Sequence, residues 1–242
     1  RQDLAWQFPE VALVRSRRVT GSTNLPLLWA WLAGQKQSKK YDRLYEQTVG
    51  LGITATVKRH ATRLCDLQQE EIDIEQELLE LLSVQSFQPY LGVFAQFGFG
   101  MRLQAILISQ IHPIEAYLSP ANKPEVIIRK GRKSGKPTKR HLSLRRFMKA
   151  LGVAPGKEAS GDKELDRVGG SDICRLGLWQ WVYTRIEPHR ARLANDIGKQ
   201  LGDALDLAKA NKQPIRLVRS RIAAKAAKML FKALVNAIGN ES

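Results

Sequence analysis

Three observations predict a mainly α fold. One is a heptad-like run over residues 56–84, the second a pair of apolar helical runs about a Gly-x-Gly turn over 85–118, and the third a set of amphipathic basic runs over 143–242. Strand character is confined to a short basic insert at 119–142, and residues 1–55 read as an N-terminal segment or the tail of an upstream domain. The 242 residues are 43% hydrophobic, enough for one large or two small folded cores. The formal net charge is +16, which attracts polyanions, and DNA or RNA is the commonest inside a cell. No segment has the long uncharged run of a spanning helix, so no membrane partner is expected. No signal-peptide pattern is present. Cys65 and Cys174 are far apart and outside any CxxC pair, and the four histidines are scattered. Buried thiols in a cytoplasmic, nucleoid-associated protein with no zinc site are therefore expected. The chain begins with Arg1, not Met, and so reads as a fragment or a trimmed chain.

In chain order, the first 25 residues mix Trp6, Phe8, Val11, Leu13 and Val14 with a basic cluster at Arg15, Arg17 and Arg18. LPLLWAWLAG then reads as a compact helix, with Pro26 near its start and Gly34 as its stop. Trp29 and Trp31 stand two residues apart and cannot share a helix face, so one serves a second contact. Core packing and base stacking are the alternatives.

The stretch TATVKRHATRLCDLQQEEIDIEQELLELL, residues 54–82, places Leu64, Leu67, Ile74, Leu78 and Leu81 at three- and four-residue spacing, interrupted by Glu71. That is the period of a coiled coil or a helical hairpin, and the helix is expected to be a partner or oligomer element that joins copies into a homo-oligomer. Its later half is acidic (Glu70, Glu71, Asp73, Glu75, Glu77, Glu80), which reads as a solvated face, not a metal cluster. In QPYLGVFAQFGFGMRLQAILISQI, Gly98 and Gly100 separate two apolar runs. Such a turn suits either a plain helical hairpin or a helix-hairpin-helix element that offers backbone N–H groups to a phosphate.

From Lys123 to Lys149 there are eleven Lys or Arg residues and one acid, Glu125. Val126-Ile127-Ile128 can pair as a strand, giving a basic ribbon with Arg129, Lys130, Arg132, Lys133, Lys136, Lys139, Arg140, Arg145 and Arg146 as phosphate contacts. A solvated loop is the alternative. GRKSGKPT is one residue short of a P-loop and has Pro after Lys136, so nucleotide binding is excluded. Next, FMKALGVAPGKEASGDKE breaks at Gly152, turns through Pro155-Gly156 and reaches Ser160-Gly161. Ser160 is either an exposed nucleophile or part of a polar loop. Ser171 caps a helix with apolar face Leu176, Trp179, Val182, Tyr183 and Ile186, ended by Pro188. A polar helix through residues 193–210 follows. The last run is apolar at Ile222, Ala226, Met229, Leu230, Ala233 and Ala237, with a basic stripe at Arg221, Lys225, Lys228 and Lys232. Bulk this modest suits a core-packed helix with its charged edge on nucleic acid.

Taken in order, these motifs resemble the C-terminal part of Piv/MooV-type insertion-sequence transposases, the DEDD group in which an RNA guide selects DNA sites. That family's PGIG-x-x-x-A-x-x-LL-x-x-I stretch is similar to Gly98-Phe99-Gly100, Ala105, Leu107 and Ile111, without the proline. Its F-x-x-YaGLaP-x-x-x-x-SG stretch is similar to Phe147, Leu151-Gly152-Val153-Ala154-Pro155 and Ser160-Gly161, and its closing RKLL-like run to Ala227-Lys228-Met229-Leu230. The likeness covers residues 56–242. Where the family has Lys-x-Gly-Asn, this chain has Arg167-Val168-Gly169-Gly170-Ser171, and a RuvC-like carboxylate domain is not recognisable. The resemblance implies DNA and guide-RNA partners and a composite site. In it Ser160 attacks a DNA phosphodiester, Lys157, Lys163 and Arg167 neutralise the phosphate, and Mg²⁺ is supplied by the upstream domain. A non-catalytic DNA- or RNA-binding relative is the alternative.

Overall fold

A computed structural model of the chain describes residues 27–47, 52–130, 137–154, 158–160, 163–165 and 169–239. Nine α-helices and two small β-hairpins make up the described residues, so the fold is mainly α. The chain divides into two compact units, residues 1–77 and 78–242.

In the first unit, α1 (Leu27–Leu32) ends before Gly34, whose φ of 77° reverses the chain. It is followed by α2 (Lys39–Glu46) and by the front of α3 (Ala55–Leu82), which continues into the second unit. Leu28, Leu32, Val57 and Ala61 form the core here, with Trp29 and Trp31 both packed against it. Two tryptophans two residues apart share this core because α1 is short and enclosed. Trp31 also donates its Nε1–H to Asp42 Oδ1 at 2.8 Å and lies against Tyr41. Leu64, Leu67, Ile74 and Leu81 leave the apolar seam of α3 exposed.

The second unit is built on α4 (Gln88–Phe97), α5 (Met101–Ile111), α6 (Leu142–Ala150), α7 (Asp172–Trp181), α8 (Asp196–Ala210) and α9 (Ile215–Gly239). The last helix touches α4, α6, α7 and α8 and is its axis. It presents Val218, Ile222, Ala223, Ala226, Ala227, Leu230 and Leu234 to the core. Alanine at the contact positions lets neighbouring helices approach closely. Phe94, Phe97, Phe99, Phe147, Leu151, Leu178 and Trp181 fill the rest of this core. Cys65 and Cys174 are both buried and unbridged, and burial pushes the Cys174 thiol up.

The predicted apolar face of α7 needs correction. Cys174, Leu178 and Trp181 are the buried positions, whereas Leu176 and Tyr183 are exposed. A π turn over Val182–Ile186 inserts one extra residue, so the inward face moves from Trp181 to Val182 and Ile186. Val182 and Ile186 thus face inward as the spacing predicts, and the correction falls on Leu176 and Tyr183.

Candidate nucleic-acid interface

The Gly98–Gly100 turn stands on an aromatic base. Phe97 and Phe99 stack at 5.2 Å, Trp181 meets Phe99 edge-on, and Trp181 Nε1 donates to the Phe97 carbonyl at 3.0 Å. Gly98 ends α4 with φ 59°, and a Cβ there would lie 2.7 Å from Leu193. Its glycine is thus favoured by the left-handed backbone, whereas the Leu193 methyl is a side-chain end that can move. Gly100 precedes α5 in extended conformation, and a Cβ would meet nothing within 4 Å. The two predicted glycines therefore differ: Gly98 is held by its left-handed backbone, and Gly100 is exposed with open space where a side chain would begin.

The basic insert forms a ribbon, β1 (Val126–Lys130) paired antiparallel with β2 (Pro137–His141). Cross-strand partners share a face. One face carries Ile127, Arg129, Thr138 and Arg140, and the other Val126, Ile128, Lys130, Lys139 and His141. All but Ile127 are exposed, Ile128 to 67%. A two-stranded ribbon solvated on both faces gains little stability from itself, so its root must hold it. Buried Ser143 accepts the Glu125 N–H at 2.8 Å, and Leu142 N–H donates to the Glu125 carbonyl at 2.9 Å. Arg146 Nη2 reaches the Glu125 carboxylate at 2.7 Å and the Tyr117 carbonyl at 3.3 Å. Arg146, expected on phosphate, is committed to the ribbon's root, while Arg145 beside it is exposed. Arg132, Lys133 and Lys136 lie outside the described residues.

The ribbon's second strand runs directly into α6, and the chain leaves the other end of α6 for the serine segment. That segment departs and returns through a narrow neck. Gly152 (φ 68°) and Gly170 (φ 107°) face each other, and Ser171 N–H donates to the Ala150 carbonyl at 2.9 Å. A Cβ at Gly170 would sit 1.7 Å from the Lys149 carbonyl oxygen, and one at Gly152 2.5 Å from that of Ser171. No L side chain fits either place. Between them, β3 (Glu158–Ser160) pairs with β4 (Lys163–Leu165), bringing the Ser160 and Lys163 backbones opposite each other. The side chains of Ser160 and Lys163, and the whole of Lys157 and Arg167, lie outside the described residues.

On α9, Arg221 and Lys228 are exposed, and Arg221 bonds the Gln213 side chain. Lys225 is half-buried and donates to the Gln200 carbonyl at 3.0 Å, so it also ties α9 to α8. A second charged cluster escaped the sequence reading. Arg219 Nε donates to Glu187 Oε2 at 2.7 Å, Lys209 approaches Glu187 Oε1 at 2.8 Å, and the guanidinium covers the Trp179 and Tyr183 rings at 4.9 and 4.5 Å. These two cations, Arg219 foremost, hold the Glu187 carboxyl below the ordinary glutamate range. Arg192 forks onto Asp206 with two 2.7 Å bonds and likewise depresses that carboxyl. In sequence, the glutamate before Pro188 and an arginine in the i+32 position carry no signal of their pairing.

Among the described residues, no three His, Cys, Asp or Glu side chains converge to hold a metal. The Mg²⁺ implied by the resemblance finds no ligand set in them. No helix among them is long and apolar enough to cross a membrane. No family model, curated protein or solved structure matches the chain.

Proposed function

We propose that the chain is the nucleic-acid-binding, serine-bearing part of a DNA recombinase of the insertion-sequence transposase kind. The observation that carries the reading is α6. Its nine residues join the exposed basic ribbon at one end to the pinched serine segment at the other, about 14 Å apart. A phosphate-binding arm at one end of this helix, and at the other the neck of the segment that bears the candidate nucleophile, suit a single bound backbone. Arg129, Lys130, Lys139 and Arg140 supply the arm, with Arg145, Arg221 and Lys228 as further cations and exposed Gly100 preceding α5. The exposed seam of α3 supplies self-association.

The chemical step forms a bond from Ser160 Oγ to phosphorus and breaks the P–O bond to one deoxyribose. The serine proton leaves with a base and the departing oxygen takes one up, so the phosphodiester energy is kept in the ester. Ser160→Ala, in a protein carrying this chain together with a carboxylate domain, should abolish the covalent protein–DNA adduct on a denaturing gel while leaving DNA binding intact. Adduct formed by Ser160→Ala at the parent level would exclude Ser160 as nucleophile. DNA bound with no adduct in either protein would leave a non-catalytic binding protein.

A further inference from the structure

The side of α7 opposite Cys174, Leu178 and Trp181 is apolar and turned outward. Ile173 is 66% exposed, Leu176 56% and Tyr183 50%, at three- to seven-residue steps along one side of the helix. Trp179 lies between the last two, partly covered, and its ring stacks on Tyr183 with centroids 6.0 Å apart and planes 22° from parallel. Trp179 and Tyr183 are four positions apart and so share this side, while the π turn that begins at Val182 keeps Val182 and Ile186 in the core. Arg219 backs both rings, and its guanidinium is fixed by Glu187, which Lys209 also holds. The rings are therefore braced from behind by a planar cation in a set orientation.

The surroundings select the occupant. Arg185 and Arg190 follow Tyr183 by two and seven positions, Arg216 stands three positions before Arg219 on α9, and all three are exposed. The acids close by are engaged: Glu187 with two cations, Asp206 with Arg192, and Asp172 with Arg175. No acid follows Asp206 until Glu241. An aromatic pair backed by an arginine, on a segment that carries further exposed arginines, suits a flat π surface attached to a phosphate, and every nucleobase offers one. Bases within a duplex are covered by their neighbours and cannot reach such a face. We propose that the Trp179–Tyr183 pair, braced by Arg219, is a stacking platform for an unpaired nucleobase of single-stranded nucleic acid. The inference rests on the nucleic-acid reading above and adds a strand-state preference to it.

The test is fluorescence anisotropy of the chain with labelled oligo(dT), oligo(U) and a duplex, each of about 20 nucleotides, at one fixed salt concentration. Tyr183→Ala should weaken single-strand binding about 5- to 100-fold, with duplex affinity moving less than about twofold. Tyr183→Phe, which keeps the ring, should bind as the parent does. The arm that loses more identifies DNA or RNA as the source of the base. Photocrosslinking of 5-iodouracil oligonucleotides to the parent chain should map to Trp179 or Tyr183, a readout independent of variant folding. Unchanged single-strand affinity in Tyr183→Ala, equal losses for duplex and single strands, or crosslinks confined to other regions each overturn the platform. The first of these leaves the face to a protein partner. If the chain binds duplex but shows no Tyr183 dependence, only the platform falls; if it binds no nucleic acid, the functional reading falls with it.

Discussion

Glu187 shows how much a single residue can carry without being visible in the sequence. It follows the π turn, is 16% exposed, and ties Arg219 of α9 and Lys209 of α8 to the end of the α7 segment. Its folded carboxyl titrates below the ordinary glutamate value of about 4.3, chiefly through the Arg219 hydrogen bond. A depressed carboxylate contributes stability that is fully present above the unfolded pKa and is lost as pH falls through the folded one. Glu187→Gln should therefore cost about 1–3 kcal/mol near neutrality, the range for hydrogen bonds to charged partners. That difference from the parent should shrink as urea melts are repeated from pH 6 down to pH 3. A penalty that stays constant across this range would mean that the lost contribution is packing, not charge. The same residue scale separates what the sequence could reveal from what it could not. Gly98 was legible because a glycine between two apolar runs has a local meaning, whereas Gly170 acquires its meaning from Lys149, twenty-one positions away, whose carbonyl leaves no room for a Cβ.

Among the elements, those whose signal is local were read correctly. The α3 span, the α4–α5 hairpin and the β1 strand follow from periodicity and from β-branched residues over a few turns. The inward face of α7 did not follow in full, because the run is apolar on both sides and only tertiary packing turns Cys174 and Leu178 inward and Leu176 outward. The ribbon's root was also hidden: Arg146 looked like one more basic residue of the insert, and its contact with Glu125 exists only after the strand and α6 have come together. This division of labour gives the ribbon a distinct prediction. Arg129 and Arg140 share a face and neither is needed at the root. Replacing both by alanine should leave the melting temperature within a degree or two and lower duplex affinity. It should also reduce the slope of log K against log salt by roughly 2, one for each lost phosphate contact. Arg146→Ala should instead lower affinity through the ribbon's placement, with a smaller change in slope than its lost charge implies. An unchanged slope in the double variant would remove the ribbon from the interface.

At the level of the molecule, the sequence boundary between two compact units falls within α3, and the interface candidates other than the α3 seam all belong to the second. Hairpin, ribbon root, serine neck and Arg219 cluster share one hydrophobic core from Leu82 to Leu234, threaded by α9. A core that runs through every helix of the second unit is expected to unfold as one cooperative transition. Residues 78–242 retain all of it, including Leu82, and lose none of the salt links at Glu125, Glu187 or Asp206. This segment should therefore fold alone, melt in a single urea transition with matching circular-dichroism and tryptophan signals, and keep the salt-dependent nucleic-acid binding of the whole chain. It should also lose self-association, because Leu64, Leu67 and Ile74 of the α3 seam are gone. Sedimentation of both forms at the same concentration checks the last point. A fragment that self-associates as strongly as the whole chain would move the oligomer contact from α3 onto the second unit, with the exposed face of α7 the first place to search.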